Sequence, residues 1–213
     1  QRRGLPHASF CGTVHHGLPL DLRTPTFETG TYFAFLGRIS PEKGVDRAIE
    51  VAKRLGVPLK IAAKVGKQDE AYYQEVIAPL LKDPLIEFVG EIGEYQKSAF
   101  LGGALALLFT IEWPEPFGLA MIEALACGTP VVAYAHGSVP EIIDHGLTGF
   151  VVKNLDEAVE AAKHAATIDR KLCRAVFERR FSASRMAQDY LDVYAQVLSS
   201  RRVVPLLAAR FAD

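Results

Sequence analysis

Two glutamates stand near the start of a predicted helix: Glu115 in the loop before it and Glu123 within it. A helix N-terminus leaves backbone N–H groups without acceptors, here at Phe117, Gly118 and Leu119, and these groups attract anions. The two carboxylates would repel a bare phosphate, but they can accept hydrogen bonds from hydroxyls. The combination predicts a ligand that carries hydroxyls beside its phosphates, as a nucleotide sugar does.

A second group of chemically competent residues follows a predicted strand over 32–36. Gly37 closes this strand, and Arg38 and Lys43 follow in a turn-rich loop that leads into a predicted helix over 45–55. Open α/β sheets bind ligands at the carboxyl ends of their strands. A guanidinium fork and an ammonium group both suit phosphate oxygens, so this loop is predicted to bind a diphosphate. The alternative interpretation is a solvated basic turn.

The elements that must position these residues alternate between apolar runs and amphipathic stretches. Predicted strands cover 32–36, 59–63, 86–89, 104–110 and 129–134. Predicted helices cover 45–55, 71–81, 94–101, 119–127, 155–165, 169–180 and 184–198. This alternation is typical of a parallel sheet with helices on both faces. The predicted fold class is therefore α/β, with a single doubly wound, parallel, Rossmann-like sheet.

Several other side chains allow both a structural and a functional interpretation. His15 and His16 could mark a metal site, but no third ligand is near in sequence, and solvated loop histidines are preferred. Ser138 and Glu141 have the spacing of a capping box, which is preferred over a catalytic role for Glu141. Trp113 could cover a bound sugar or pack against the protein, and the sequence favours neither.

Longer motifs surround these residues in a fixed order. They occupy residues 13–21, 37–44, 88–92, 115–133, 137–143 and 146–152. The most specific of them combines Glu-x7-Glu with Ala-Leu-Ala-Cys-Gly-Thr-Pro-Val-Val-Ala, and Gly-Arg-Ile-Ser-Pro-Glu-Lys-Gly precedes it. From about Tyr32 to Leu198 the chain resembles the C-terminal donor-binding domain of a GT-B fold glycosyltransferase of family 4, also called glycosyl transferases group 1.

This resemblance implies the transfer of a sugar from a nucleoside diphosphate sugar, with retention of configuration. It assigns catalytic roles to Arg38 and Lys43, which hold the diphosphate, and to Glu115, which binds hydroxyls of the donor sugar. It assigns Glu123 to the ribose hydroxyls. No enzymic nucleophile is evident, and in the family the donor phosphate itself is thought to deprotonate the acceptor.

The resemblance also implies which further residues bind the donor. Backbone at Phe117, Gly118 and Leu119 contacts sugar and phosphate, and Gly37 lies beside them. Ile92, Val65 and Gly66 line the base pocket. The family pattern has a second glycine after Gly66, and its absence here weakens the assignment of Val65 and Gly66.

The predicted organisation has three parts. Residues 1–30 form a linker or interdomain segment, 31–198 the nucleotide-sugar donor-binding domain, and 199–213 a C-terminal tail. The chain begins at Gln1 without a methionine, so it is expected to be a fragment or a processed product. A saccharide or lipid-linked acceptor would then bind to an absent N-terminal domain. The tail could pack on that domain or touch a membrane.

Composition narrows the function classes. The 213 residues carry a net charge of −1, which gives no electrostatic argument for nucleic acid as a partner. Three cysteines without a CxxC pair indicate a reducing compartment and neither a disulfide framework nor a zinc site. The expected location is cytoplasmic, with peripheral association at the inner membrane as an open possibility.

Absent motifs exclude other chemistries. The sequence contains no GxxxxGK[ST], GxGxxG or GxSxG motif, and no Asp-x-Asp pair to chelate a metal on a donor diphosphate. No cofactor or metal is therefore expected. Two alternatives to an enzyme are a nucleotide-sugar binding module without turnover of its own and a flavodoxin-like signalling domain, although Arg38 replaces the acidic pocket that the latter needs. A related 2-epimerase is disfavoured because no acid and base pair is evident.

Overall fold

The computed structural model describes residues 10–200, with only the backbone of Ser200. Residues 1–9 of the expected linker and most of the expected tail lie outside this part of the chain. Within it, six strands form one parallel sheet in the order β3-β2-β1-β4-β5-β6. The strands are β1 Tyr32–Ile39, β2 Leu59–Val65, β3 Ile86–Gly90, β4 Ala104–Phe109, β5 Val131–Tyr134 and β6 Gly149–Val152. The predicted fold class is confirmed.

Helices connect the strands and cover both faces of the sheet. They are α1 Val45–Leu55, α2 Glu70–Tyr72, α3 Ala78–Leu80, α4 Glu94–Gly102, α5 Leu119–Ala126, α6 Val139–Ile142, α7 Leu155–Lys163, α8 Arg170–Arg180 and α9 Ala183–Ser200. A π-helical segment, Tyr73–Ile77, joins α2 to α3, so the helix predicted over 71–81 is not a regular α-helix. None of the described helices is long and apolar enough to cross a bilayer.

The first strand is longer than predicted. β1 pairs with β2 in unbroken register up to Ile39 opposite Val65, so Gly37 and Arg38 belong to the strand and not to the loop after it. The length of an apolar run underestimates the length of such a strand, because backbone pairing with the neighbouring strand can continue past the residues whose side chains are in the core. The predicted start of β5 at Thr129 was also wrong, since the Thr129 N–H bonds to Ala124 O at the end of α5.

Both faces of the sheet are packed. Along β1, Phe33 and Phe35 enter one core with α1 and α7, while Ala34 enters the other core with α5 and α8. This alternation is the period of two expected of a strand. By the same alternation, Arg38 lies on the α5 side of the sheet.

The segment before β1 is mostly irregular, as predicted for residues 10–30, but it is firmly attached to the domain. Arg174 of α8 donates hydrogen bonds to the carbonyls of Leu20 and Arg23 at 2.8 and 3.0 Å. Arg185 of α9 donates to the carbonyls of His15 and His16 at 2.8 and 3.1 Å. Two helices from the end of the described chain therefore fix where this segment runs.

Candidate functional site

The site forms where the strand order changes direction. From β1 the chain winds outward to β2 and β3, and from β4 it winds the other way to β5 and β6. The loops after β1 and β4 therefore diverge to opposite sides and leave a crevice, which is the usual ligand position in such sheets. Lys43 follows β1 and Glu115 follows β4, so the topology itself brings them together.

Lys43 is placed by a short 3-10 turn, Pro41–Lys43, that ends at Gly44. Gly44 has φ +67°, and a Cβ there would lie 2.0 Å from the Thr110 carbonyl oxygen at the end of β4. The Glu112 N–H also donates to Glu42 O at 2.9 Å. These backbone contacts hold the two loops against each other.

Glu115 is held by the loop after β5. The Ser138 N–H donates to the Glu115 carbonyl at 2.9 Å. Gly137, with φ +60°, approaches so closely that a Cβ would come within 2.3 Å of the same oxygen. Lys43 Nζ and Glu115 Oε2 are then 2.7 Å apart, with side chains 22% and 16% exposed. The result is a half-buried ion pair between the two residues that were predicted to bind different parts of one ligand.

The pair lies at a cavity of 140 Å³ that reaches the N-terminus of α5. Gly118 is the N-cap with φ +81°, and Leu119 is the first helical residue. A Cβ on Gly118 would lie 2.6 Å from Met121 Cε. The first N–H groups of a helix have no acceptor within it, so α5 directs partial positive charge toward this cavity.

A second cavity, of 460 Å³, continues from the first. The two share the lining residues Leu36, Gly37, Leu119 and Ala120. Ile92 and Glu123 line the larger cavity. Two adjoining cavities are thus lined by seven of the predicted residues, namely Gly37, Lys43, Glu115, Gly118, Leu119, Ile92 and Glu123.

Glu123 is buried in a cluster of charges. Its Oε1 accepts hydrogen bonds from Arg23 Nη2 and from Lys97 Nζ, the latter at 3.0 Å. Arg23 also contacts Glu94 at 2.5 Å, and Lys97 contacts Glu94 at the same distance. Burial alone would lower the pKa of Arg23 and of Lys97, but their hydrogen bonds to Glu94 and Glu123 outweigh it and raise both values. Hydrogen bonds from Lys97 and Arg23 lower the pKa of Glu94.

Other predicted residues lie outside the two cavities. The Arg38 side chain is about half exposed and pairs with Glu42 at 3.2 Å. Val65 is the last residue of β2 and Gly66 follows it, and a Cβ on Gly66 would meet the Gln68 side chain at 2.7 Å. Ala62, Ala63 and Lys64 line the larger cavity in this part of the sheet instead.

Phe117 faces a third and larger cavity of 1020 Å³, which shares Glu115 with the first. Its ring lies 5.9 Å from that of His15 and 4.9 Å from that of His16. His15 is partly buried, whereas His16 is exposed, as preferred for a loop histidine. Among residues 10–200, no group of three or more His, Cys, Asp or Glu side chains is placed to hold a metal ion.

The capping box predicted for Ser138 and Glu141 was wrong. The Ser138 hydroxyl donates to Phe117 O at 2.7 Å, and the exposed Glu141 pairs with His15 Nε2 at 3.1 Å. The spacing was right for a cap, but α6 is only four residues long. Ser138 and Glu141 instead connect the loop after β5 to the loop after β4 and to the segment before β1.

Trp113, for which the sequence favoured neither interpretation, is 47% exposed.

Sequence reasoning missed Arg23, Glu94 and Lys97. Glu94 and Lys97 are one turn apart on α4, which is visible in the sequence, but nothing there connects them to Glu123. Arg23 is 2% exposed although it lies in a segment that composition marks as loop. A buried arginine in such a segment has no local signal, because its partners are remote in sequence.

Comparisons with known proteins agree with this architecture. The family model described as "Glycosyl transferases group 1" matches residues 22–178. A D-inositol 3-phosphate glycosyltransferase of Mycolicibacterium smegmatis is 31% identical over 89% of this chain and 48% of its own length. One from a Mycobacterium species (strain JLS) is 30% identical over 83% of this chain and 43% of its own length. The chain thus spans about half the length of the curated relatives it matches.

Solved structures match the fold. AviGT4, a glycosyltransferase involved in avilamycin A biosynthesis, superposes with a TM-score of 0.78 and 23% identity, covering 93% of this chain and 62% of its own. HepE of Anabaena, solved with UDP and glucose, superposes with a TM-score of 0.72 and 21% identity, covering 84% and 55%. At these identities the likeness concerns the fold, which is that of one half of a GT-B enzyme.

Proposed function

Because this chain belongs to the glycosyl transferases group 1 family, we propose that it is the donor-binding part of a retaining hexosyltransferase. It binds a nucleoside diphosphate sugar without a metal. The sugar passes to a saccharide or lipid-linked acceptor that is held by a part of the enzyme outside these residues. The size of this chain relative to its family members supports that division.

The observation that carries the proposal is the Lys43–Glu115 pair beside the N-terminus of α5. A diphosphate needs fixed cations and N–H donors, and a sugar needs an acceptor for its hydroxyls. A donor seated here would meet all of these within one small cavity, with its phosphates toward Lys43 and its sugar toward Glu115. The shared boundary with the larger cavity leaves room for the nucleoside toward Ile92 and Glu123.

The chemistry proposed for this chain is charge stabilisation. As the bond from the sugar C1 to the diphosphate oxygen breaks, its electron pair moves to that oxygen. Lys43, Arg38 and the α5 N-terminus stabilise the negative charge that develops there. The acceptor oxygen forms the new bond to C1 on the same face, and its proton passes to the departing phosphate. Arg38 must leave Glu42 to take part, and its exposed side chain is free to do so.

Binding is tested on the 213-residue chain by titration calorimetry and thermal shift with UDP, GDP and ADP, each free and as its glucose conjugate. One diphosphate is expected to bind with a Kd of roughly micromolar to millimolar. Glu115→Gln is expected to weaken the sugar nucleotide and spare the free diphosphate, because Glu115 serves the sugar. If the wild-type chain binds none of the six ligands, the proposed function fails.

A further inference from the structure

We infer that Arg23 is a positioning residue for ribose recognition, which it controls by holding Glu123 through one carboxylate oxygen. The inference rests on the proposed function, since it assumes that the larger cavity receives the nucleoside. It assigns a role in donor selectivity to the segment before β1, which contributes no residue to the 140 Å³ cavity.

The first step is the position of Arg23 behind Glu123. Glu123, Lys97 and Glu94 all line the 460 Å³ cavity, whereas Arg23 does not. Arg23 is 2% exposed, and its Nη2 donates to Oε1 of Glu123. A ligand in the cavity would meet Glu123 without touching Arg23, so Arg23 can act on it only through the carboxylates that it holds, those of Glu123 and Glu94.

The second step concerns which oxygen is held. Arg23 and Lys97 both donate to Oε1 of Glu123. Two charged donors on one oxygen restrict the rotation of this buried carboxylate. An oriented carboxylate is a strong acceptor for a pair of neighbouring hydroxyls, such as the 2′ and 3′ hydroxyls of a ribose. A carboxylate that rotates freely loses that orientation.

The third step is the rigidity of Arg23 itself. Its Nη1 donates to the Leu22 carbonyl at 2.9 Å, and its own carbonyl accepts from Arg174 of α8 at 3.0 Å. Arg174 also donates to Ala126 O at the end of α5, at 2.8 Å. The segment that carries Arg23 is therefore fastened to the same helix that carries Glu123.

The test measures ribose selectivity. The tightest-binding of UDP, GDP and ADP is compared with its 2′,3′-dideoxy counterpart by titration calorimetry on the 213-residue chain. The wild-type chain is expected to prefer the ribonucleotide by about tenfold or more, the value of a hydrogen bond to a charged group. Arg23→Gln is expected to reduce this ratio to about threefold or less, while binding of the dideoxynucleotide changes by less than about twofold. Arg23→Lys, which keeps the cation, should restore part of the ratio.

Arg185→Gln is the matched control. Arg185 also anchors the segment before β1 through backbone carbonyls, but its contacts do not include Glu123. It is expected to lower stability and leave the ribose ratio unchanged. If Arg23→Gln does not fold, as judged by circular dichroism, Lys97→Gln decides, because Lys97 contacts the same oxygen from α4 and is expected to lower the ratio in the same way.

The outcomes separate the two proposals. If the wild-type chain binds a diphosphate and Arg23→Gln or Lys97→Gln keeps the full ribose ratio, the inference is overturned and the proposed function stands. If Arg23→Gln weakens both nucleotides equally, its role is structural and the inference is likewise overturned. If the wild-type chain binds no nucleotide, both are overturned.

Discussion

At the scale of single residues, the site holds opposite charges that neutralise each other. Lys43 pairs with Glu115, and Glu123 with Arg23 and Lys97. Each half-buried charge is compensated in this way, because an unpaired charge in a partly desolvated cavity is costly. Under the proposed function, a ligand that separates Lys43 from Glu115 offers anionic oxygens to the ammonium group and hydroxyls to the carboxylate. A bare nucleoside and a bare phosphate are therefore expected to bind less well than a nucleotide sugar.

Removing the cations tests the diphosphate site. Lys43→Ala and Arg38→Ala are each expected to weaken nucleoside diphosphate binding by about 1.5–3 kcal/mol, or roughly 10- to 150-fold. The monophosphate should lose much less, because it lacks the terminal phosphate that these side chains are proposed to hold. Titration calorimetry with matched mono- and diphosphates gives the comparison.

The control for the Arg38 variant is Arg54→Ala. Arg54 is 42% exposed and pairs with Glu50 at i,i+4, as Arg38 pairs with Glu42, but it lies near the end of α1. It should leave nucleotide binding unchanged. Equal losses for mono- and diphosphate in the Lys43 and Arg38 variants would show that these cations do not bind the terminal phosphate.

At the scale of elements, backbone contacts decide where the side chains meet. The loop that carries Lys43 could have many shapes, but the close approach of Gly44 to Thr110 permits few of them. The Thr110 hydroxyl donates to the Gly44 carbonyl at 2.7 Å and closes the contact from the other side. The junction between this loop and α1 is therefore as much a part of the site as the charged residues.

Substitution of two glycines isolates this contact. Gly44 and Gly56 both have φ +67° and stand at opposite ends of α1, but a Cβ on Gly56 meets nothing within 4 Å. Gly56→Ala should cost about 1–2 kcal/mol in the free energy of unfolding, the cost of a left-handed backbone for an alanine. Gly44→Ala should cost about 1–3 kcal/mol more because of overpacking against Thr110.

Chemical denaturation measures both variants, and the diphosphate affinity is measured below their unfolding transitions. Gly44→Ala is expected to weaken binding as well, since the loop that carries Lys43 must move, whereas Gly56→Ala should not. Equal destabilisation by the two substitutions would show that the approach to Thr110 adds no constraint beyond the backbone conformation.

At the scale of the whole molecule, the proposed donor site adjoins a larger cavity. This cavity, of 1020 Å³, shares Glu115 with the 140 Å³ cavity and is lined by imidazole, carboxylate and aromatic groups. The curated relatives are about twice as long as this chain. The proposed function therefore places the acceptor and the closure of the site in the remainder of the enzyme.

The 213-residue chain is accordingly expected to bind a donor and to transfer nothing. Proximity and orientation of an acceptor can contribute about 7–11 kcal/mol to lowering a barrier, and cleft closure strengthens the charged contacts further. A radiolabelled donor of the binding nucleotide, incubated with simple saccharide acceptors, should give no product above background. Efficient transfer by this chain alone would show that its own residues hold the acceptor.

The sequence by itself determined the order of the first five strands and of the helices between them, because apolar periodicity and glycines at helix ends are local signals. It did not predict β6, Gly149–Val152, which has only four residues. It correctly ended α1 at Gly56, whose N–H returns to Ala52 and Lys53. It also identified Lys43, Glu115 and Glu123 as site candidates, since their motifs are contiguous in the chain. The positions of Lys43 and Glu115 at the carboxyl edge of the sheet were predictable, because each follows a strand of a parallel sheet.

Only the tertiary structure decided which of these residues meet. The pair of Lys43 and Glu115 joins residues 72 positions apart, and that of Arg23 and Glu123 joins residues 100 positions apart. Such contacts depend on strand order and on the close backbone approach at Gly44 and Gly137, neither of which local patterns encode. The burial of Arg23 could not be predicted from the sequence for the same reason. The helices that bury it come later in the chain, and only the folded sheet brings them next to it.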